Sequence, residues 1–350
     1  MKAVANPHRA KPKLVAEAPY PSIAAHRVAA LLEHCPAAAE TPLVDAASLA
    51  TQAGISALWV KDERTRMNLG SFKALGAAYV IARHASDLSE MPDATTLRGR
   101  TYVTASAGNH GMSVAAGARV FGANAVIYIA ETVPESFAIR LRDQGADVVR
   151  EGADYAASMA AAAAAADANG WTLLSDSAWA GYTELPHILM EGYLQMAAEA
   201  VEQCPTVPTH IVLQAGVGGL ATAVAAYARK VWGNAPTIIV VEPDAAPALQ
   251  ASIEAGKCVT TTGPDSIMGR LDCKEPSIIA LNGLARDADW FVTMSDAAVS
   301  AMLPAMAQAD LATTPSGGAG VAMVLTEQAR AAVGTGPDAQ VLCFLSEVAD

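Results

Sequence analysis

The stretch Gly70-Ser71-Phe72-Lys73-Ala74-Leu75-Gly76-Ala77 decides how this chain is read. One lysine follows a loop glycine, stands beside an aromatic residue and heads an apolar helix. Lysine is strongly hydrated, and its pKa falls when water is withdrawn. A lysine so placed is expected to lose its charge and attack a carbonyl, whether of a substrate or of a cofactor. Read alone, the octapeptide fits a snorkelling surface lysine at a helix start equally well. Two further loops tip the balance.

Around this stretch, short β-branched runs alternate with alanine-rich helical segments. Strands are predicted at 58–61, 101–104, 125–129, 147–150, 171–174, 210–214, 237–241, 290–293 and 340–345. Each is mostly apolar, as strands covered on both faces tend to be. Helices between them imply a parallel α/β architecture. Ligands in open α/β sheets bind beyond the carboxyl ends of strands, and glycine-rich loops lie there.

The first loop, Thr104-Ala105-Ser106-Ala107-Gly108-Asn109-His110-Gly111, leads into an apolar helix. A helix N-terminus offers free N–H groups and a dipole that favours an anion. Ser106 and Asn109 add donors, so the loop suits a substrate carboxylate. An ordinary Ser- or Asn-capped turn fits it too. The second loop, Gln214-Ala215-Gly216-Val217-Gly218-Gly219-Leu220, lets backbone approach a ligand and aim several N–H groups at one phosphate. The alternative is a tight turn needing positive φ; the phosphate reading is preferred. A third segment, Thr314-Pro315-Ser316-Gly317-Gly318-Ala319-Gly320, either lines the same cleft or caps a helix. No GxGxxG turn follows the first strand and no GxxxxGK[ST] occurs, so dinucleotide and P-loop readings lack support.

With 350 residues, 52% of them hydrophobic, the chain can bury a large core and form two domains or subdomains. A net charge of −12 with scattered Lys and Arg argues against a nucleic-acid surface. The five cysteines form no CxxC pair and no ligand spacing with histidine, so neither a metal site nor a disulfide framework is expected, and a reducing cytoplasm fits. No run approaches the roughly 20 apolar residues of a membrane span. The first 22 residues are basic and lack the apolar core of a signal peptide, so they read as an ordered or frayed arm. The alanine run 160–166 reads as helix.

Taken in order, GSFKALGA, ASAGNHG, AGVGG and a last strand ending Leu345-Ser346-Glu347 resemble the fold-type II pyridoxal-phosphate (PLP) enzymes, the superfamily of threonine dehydratase and tryptophan synthase β. The resemblance spans about 55 to 347. Within that superfamily, three more segments are most similar to the diaminopropionate ammonia-lyase family. Ser175–Pro186 resembles its D-T/S-A-W-x-G-Y-x-x-I/L-P block. Met190-Glu191-Gly192-Tyr193 resembles its M-x-G-Y continuation. Ile267–Pro276 resembles its A-G-L-x-C-G-E-P block.

The resemblance implies pyridoxal 5'-phosphate as cofactor, in a cleft between two open, mostly parallel sheets covered by helices. It implies a discontinuous large domain of residues 1–63 and 175–350, a small domain of 64–174, and a homodimer. Lys73 would be the Schiff-base lysine and the base at Cα, with Phe72 beside it. Ser106, Ala107, Gly108 and His110 would form the substrate-carboxylate loop, with Asn109 near the cofactor's phenolic oxygen. Gly216, Val217, Gly218 and Gly219 would cradle the phosphate, and Ser346 would bond the pyridine nitrogen. Asp176 would contact the leaving group or support the site. Asp272, with Glu275, reads either as a receiver for a second substrate amine or as a partner of Arg270 and Lys274. Tyr182 and Trp179 read as a pocket wall or as core aromatics.

The implied reaction is α,β-elimination from a β-substituted L-amino acid, giving a 2-oxo acid and ammonia, with L-2,3-diaminopropionate foremost. Alternatives are a dehydratase of serine, threonine or hydroxyaspartate, a β-replacement enzyme, or an inert PLP-binding protein. One departure matters. The ammonia-lyases usually read T-D-G-N-H-G where this chain has Ser106-Ala107-Gly108-Asn109-His110-Gly111. The missing aspartate is the implied base for D-isomers, so an L preference is expected. The chain ends at Asp350, soon after the last strand, and no separate effector domain is expected.

Overall fold

The β-branched runs sort into two sheets in the computed structural model, which describes residues 1–35 and 37–349. The strands are β1 (Lys2–Ala5), β2 (Leu43–Asp45), β3 (Ala57–Asp62), β4 (Thr101–Ala105), β5 (Asn124–Ile129), β6 (Asp147–Arg150), β7 (Thr172–Leu173), β8 (His210–Gln214), β9 (Thr237–Pro243), β10 (Trp290–Met294) and β11 (Gln340–Leu345). One sheet runs β1-β10-β9-β8-β11-β3-β2, and the other runs β6-β5-β4-β7. All nine predicted strands are present. The two that the sequence did not suggest, β1 and β2, are antiparallel edge strands on β10 and β3. They are three or four residues long and mostly half-buried or exposed, so they carry no apolar run to read.

The inner strands of the large sheet are parallel, and helices cover both faces. Side chains alternate across a strand with period two. Ile211, Leu213, Leu342 and Phe344 therefore pack with Leu220, Ala221 and Val224 of the helix Gly219–Trp232. Val212, Val341, Cys343 and Leu345 pack with Val321 and Val324 of the helix Pro315–Leu325. Each such aliphatic side chain contributes roughly 1.5–3 kcal/mol on burial.

Parallel register brings strand ends into line. Leu345 pairs with Asp62, and Gln214 lies opposite Val241, so the segments after β3, β8 and β11 leave one edge of the sheet. In the smaller sheet Val103 pairs with Leu173, which sets the loop after β4 beside the segment carrying Asp176. Lys73 lies in a single 3-10 turn, Phe72–Leu75, and the helix Ala77–Ser86 begins only after Gly76. Below that segment, Arg66, Glu63, Lys61 and Glu199 form a buried ion cluster, with Arg66 Nη2 2.6 Å from Glu199.

Candidate active site

The loop after β8 is shaped by what its glycines cannot carry. Gly218 has φ +97°, and a Cβ there would stand 2.8 Å from Ala280 Cβ. A Cβ on Gly216 would stand 2.9 Å from Cys273 Sγ. Side chains behind the loop thus fill its outer side. Among the described residues, no side chain caps the helix Gly219–Trp232 that the loop opens. Its first N–H groups are left facing the cleft, where the dipole favours an anion.

That cleft, of about 970 Å³, is lined by Phe72, Lys73, the 106–110 loop, Asp176, Gly216, Val217, Gly218, Gly219, Asp272 and Ser346. Residues far apart in sequence thus meet at strand ends of both sheets. Lys73 Nζ contacts the Asp176 carboxylate directly. Burial alone would lower the lysine's pKa, but the Asp176 charge outweighs it and holds the amine well above its ordinary range. Burial likewise works against ionised Asp176, and Lys73 holds its carboxyl well below the usual range. The lysine in this state is therefore an ammonium, not the neutral amine expected from its apolar neighbours. Asp176 is expected in the site, but its direct pairing with Lys73, 103 positions away, has no local signal in the chain.

Other expected residues take more specific places. His110 donates from Nε2 to Leu174 O at 2.7 Å, and burial lowers its pKa, so the ring is neutral. It ties the first loop to the segment carrying Asp176 rather than presenting a donor to a carboxylate. Asn109 donates from Nδ2 to Glu347 Oε2 at 2.5 Å. Glu347 also takes the Thr314 hydroxyl and the Arg270 guanidinium, the latter at 2.9 Å. Asp272 is held by Lys274 at 2.5 Å and by the Ser266 N–H at 3.0 Å, so the loop itself takes up its charge. Tyr182 donates to Leu173 O at 2.8 Å and stacks on Trp179 with ring centres 4.4 Å apart. Trp179 is the wall of the cleft, and Tyr182 braces it. In the third glycine segment Thr314 caps the helix Pro315–Leu325 while Ser316 lines the cleft, so both of its readings hold.

Sequence reasoning missed Glu347 and Arg270 as site residues, although both lie inside quoted segments. Glu347 follows Ser346 directly, and that adjacency was the available signal. Tyr155, at the start of the helix Tyr155–Asn169, also lines the cleft with no motif to announce it.

These residues fit pyridoxal phosphate. The Lys73 amine lines the cleft, and so do an uncapped helix start and a loop with three glycines. A polar hydroxyl, Ser346, closes the site at the end of β11.

A family profile described as pyridoxal-phosphate dependent enzyme matches residues 35–347. The diaminopropionate ammonia-lyase of Salmonella typhimurium is 34% identical over 292 residues, which is 77% of this chain and 72% of that one. The human L-serine dehydratase/L-threonine deaminase is 29% identical over 289 residues, 81% of this chain and 82% of that one. A crystal structure of the Escherichia coli diaminopropionate ammonia-lyase, in complex with a reaction intermediate, superposes with a TM-score of 0.87 at 28% identity, covering 99% of this chain and 93% of that one.

Proposed function

The chain belongs to the pyridoxal-phosphate-dependent enzymes, and on that premise we propose that it eliminates the β-substituent of an L-amino acid, L-2,3-diaminopropionate foremost, to give a 2-oxo acid and ammonia. The observation that carries the reading is the Lys73–Asp176 pair facing the uncapped helix start at Gly219 across one cleft. The names of the relatives support the same reaction class.

Bound there, the cofactor supplies a carbonyl for amines and an electron sink for the carbanion left at Cα. Lys73 would be the residue that holds it covalently. The N–H groups of Gly216 to Gly219 would hold its phosphate, and Ser346 would offer a neutral hydroxyl to its ring nitrogen. Ser106, Ala107 and Gly108 present backbone to the substrate carboxylate. Lys73 Nζ takes the Cα proton and then carries it as an ammonium. Asp176, 16% exposed, stabilises that ammonium and shares the cleft with the departing β-group. Trp179 and Tyr182 limit water at one side.

A dehydratase is the second reading. It is favoured by Ala107, which puts no carboxylate in the first loop and so no charge to receive a β-ammonium. The same proposal includes the two-domain division at 63/64 and 174/175, a homodimer and a cytoplasmic location. The five cysteines are free thiols. Among the described residues no helix is long and apolar enough to cross a membrane.

The test is a product assay with cofactor and L- or D-diaminopropionate, L-serine, L-threonine or hydroxyaspartate. Twice as much ammonia as pyruvate from the L-diamine supports the ammonia-lyase. Equal amounts of oxo acid and ammonia from a hydroxy acid alone would make it a dehydratase. No product from any of them would refute the elimination.

A further inference from the structure

Tyr193 follows the helix Glu184–Gly192 and is 1% exposed. Its ring packs 4.9 Å from the Phe72 ring, and Lys73 Nζ lies 5.9 Å from its centre. Room for it is made on two sides by glycine. A Cβ on Gly76 would stand 2.8 Å from Tyr193 Oη, and one on Gly219 would stand 3.2 Å from Tyr193 Cε2. The ring thus lies between the turn that carries Lys73 and the start of the helix proposed to bind phosphate. Yet its hydroxyl is buried, and among the described residues it has no hydrogen-bond partner. A buried hydroxyl is costly to leave unpaired, and such groups are normally satisfied.

The two oxygens near Lys73 ask opposite things of it. The Asp176 carboxylate can only accept a hydrogen bond, so it favours the ammonium. A tyrosine hydroxyl can donate to the lone pair of a neutral amine, so it favours the base form. Burial pushes Tyr193 up to about 12, which keeps its proton in place to be donated. In this structure Lys73 contacts Asp176, with the Tyr193 ring beside its Nζ.

We propose that Tyr193 is a positioning residue that receives Lys73 when it leaves Asp176 and holds its Nζ as a neutral amine, ready to accept the Cα proton. The inference rests on the PLP-enzyme reading. No covalent bond to Tyr193 forms or breaks: its O–H releases the Nζ lone pair as the Cα proton arrives there, and the ammonium so formed donates to Tyr193 Oη, which keeps its own hydrogen. The other groups around Lys73 do not substitute for it. His110 is neutral, and its N–H is spent on Leu174. Cys273 is a weak donor held as a thiol, burial having pushed it up to about 12. Tyr155 opens another helix and is 58% exposed, so its hydroxyl is not a buried donor held in reserve.

The test is Tyr193→Phe, which removes one oxygen and keeps the ring. Cofactor uptake is read first, as the visible absorbance of the cofactor attached to Lys73 over a pH series. The variant is expected to attach cofactor about tenfold more slowly at neutral pH and to recover in alkali. The acidic limb of its kcat/KM profile should move up by about one pH unit, the equivalent of one hydrogen bond. The melting temperature of its cofactor-free form should equal or exceed wild type, because an unpaired hydroxyl has gone. Superimposable uptake rates and pH profiles would overturn the proposal while leaving the enzyme assignment intact. A lower melting temperature with an unchanged pH profile would make the hydroxyl structural and overturn it as well. Wild-type protein that takes up no cofactor at Lys73 would refute both the inference and the reading beneath it.

Discussion

Asn109 and Glu347 are joined across the cleft by a 2.5 Å hydrogen bond, so the loop after β4 is tied to the tail after β11. Two sheets contribute one end each. The bond is charge-assisted, because a carboxylate accepts it. Asn109→Ala removes it and should weaken cofactor binding about tenfold, the worth of one such bond. Equilibrium titration of cofactor absorbance reads this directly. Unchanged affinity would show that Asn109 serves the cofactor-free state alone.

Gly218 offers a sharper test of the phosphate loop. Alanine there must hold φ near +97° and meet Ala280 at 2.8 Å. The backbone strain alone costs about 1–3 kcal/mol. Gly218→Ala should lower the melting temperature and reduce cofactor affinity together, measured by scanning calorimetry and titration. A variant of wild-type stability and affinity would mean the loop relaxes freely and does not cradle a ligand.

Ala107 is where this chain departs from the ammonia-lyase pattern. It lines the cleft but carries no acid. Wild-type enzyme should act on the L-isomer and leave D-diaminopropionate untouched. Ala107→Asp should bring in D-isomer turnover, measured as pyruvate formed from the D-diamine. Wild-type activity on the D-isomer would show that another group on that face serves as base.

The Lys73–Asp176 pair makes cofactor-free stability depend on pH with a definite sign. Asp176 is held below its ordinary 3.8, so its contribution is present above that value and fades as pH falls. Lys73 is held above its ordinary 10.5, so its contribution is present below that value and fades as pH climbs well beyond it. The stability difference between wild type and Asp176→Asn should be flat between these limits and shrink outside them. Urea unfolding at stepped pH reads it. A difference that grows in acid would contradict the ion pair.

Glu199 anchors the cluster beneath the Lys73 segment. Despite burial, Arg66 and Lys61 pull its carboxyl down to about 2. Its contribution is full above 4.5 and is lost as pH falls from there toward about 2. Glu199→Ala leaves two buried cations under-paired and should cost about 3–5 kcal/mol at neutral pH. Denaturant unfolding measures it, and a loss below 1 kcal/mol would show that water reaches the cluster.

Much of this was readable in the chain. The inner strands and the three glycine loops follow from short-range pattern, because β-branched runs and glycine punctuation act locally. The edge strands β1 and β2 were not readable, since their pairing comes from neighbours rather than from an apolar run. The cleft residues divide the same way. Lys73 and Gly216 to Gly219 are marked by their own surroundings. What Asp176, His110 and Glu347 do is fixed by partners 103, 64 and 238 residues away, which no local signal encodes. Tyr182 and Asp272 show the reverse: both look free for ligand in the sequence, and both are engaged by near neighbours in the fold.

The central claim is that Lys73 carries the cofactor. Wild-type protein incubated with pyridoxal phosphate, reduced with borohydride and digested should give one labelled peptide, with the added mass on Lys73. Lys73→Ala treated in the same way should give none. A label on another lysine, or equal labelling of the variant, would contradict the account at its base.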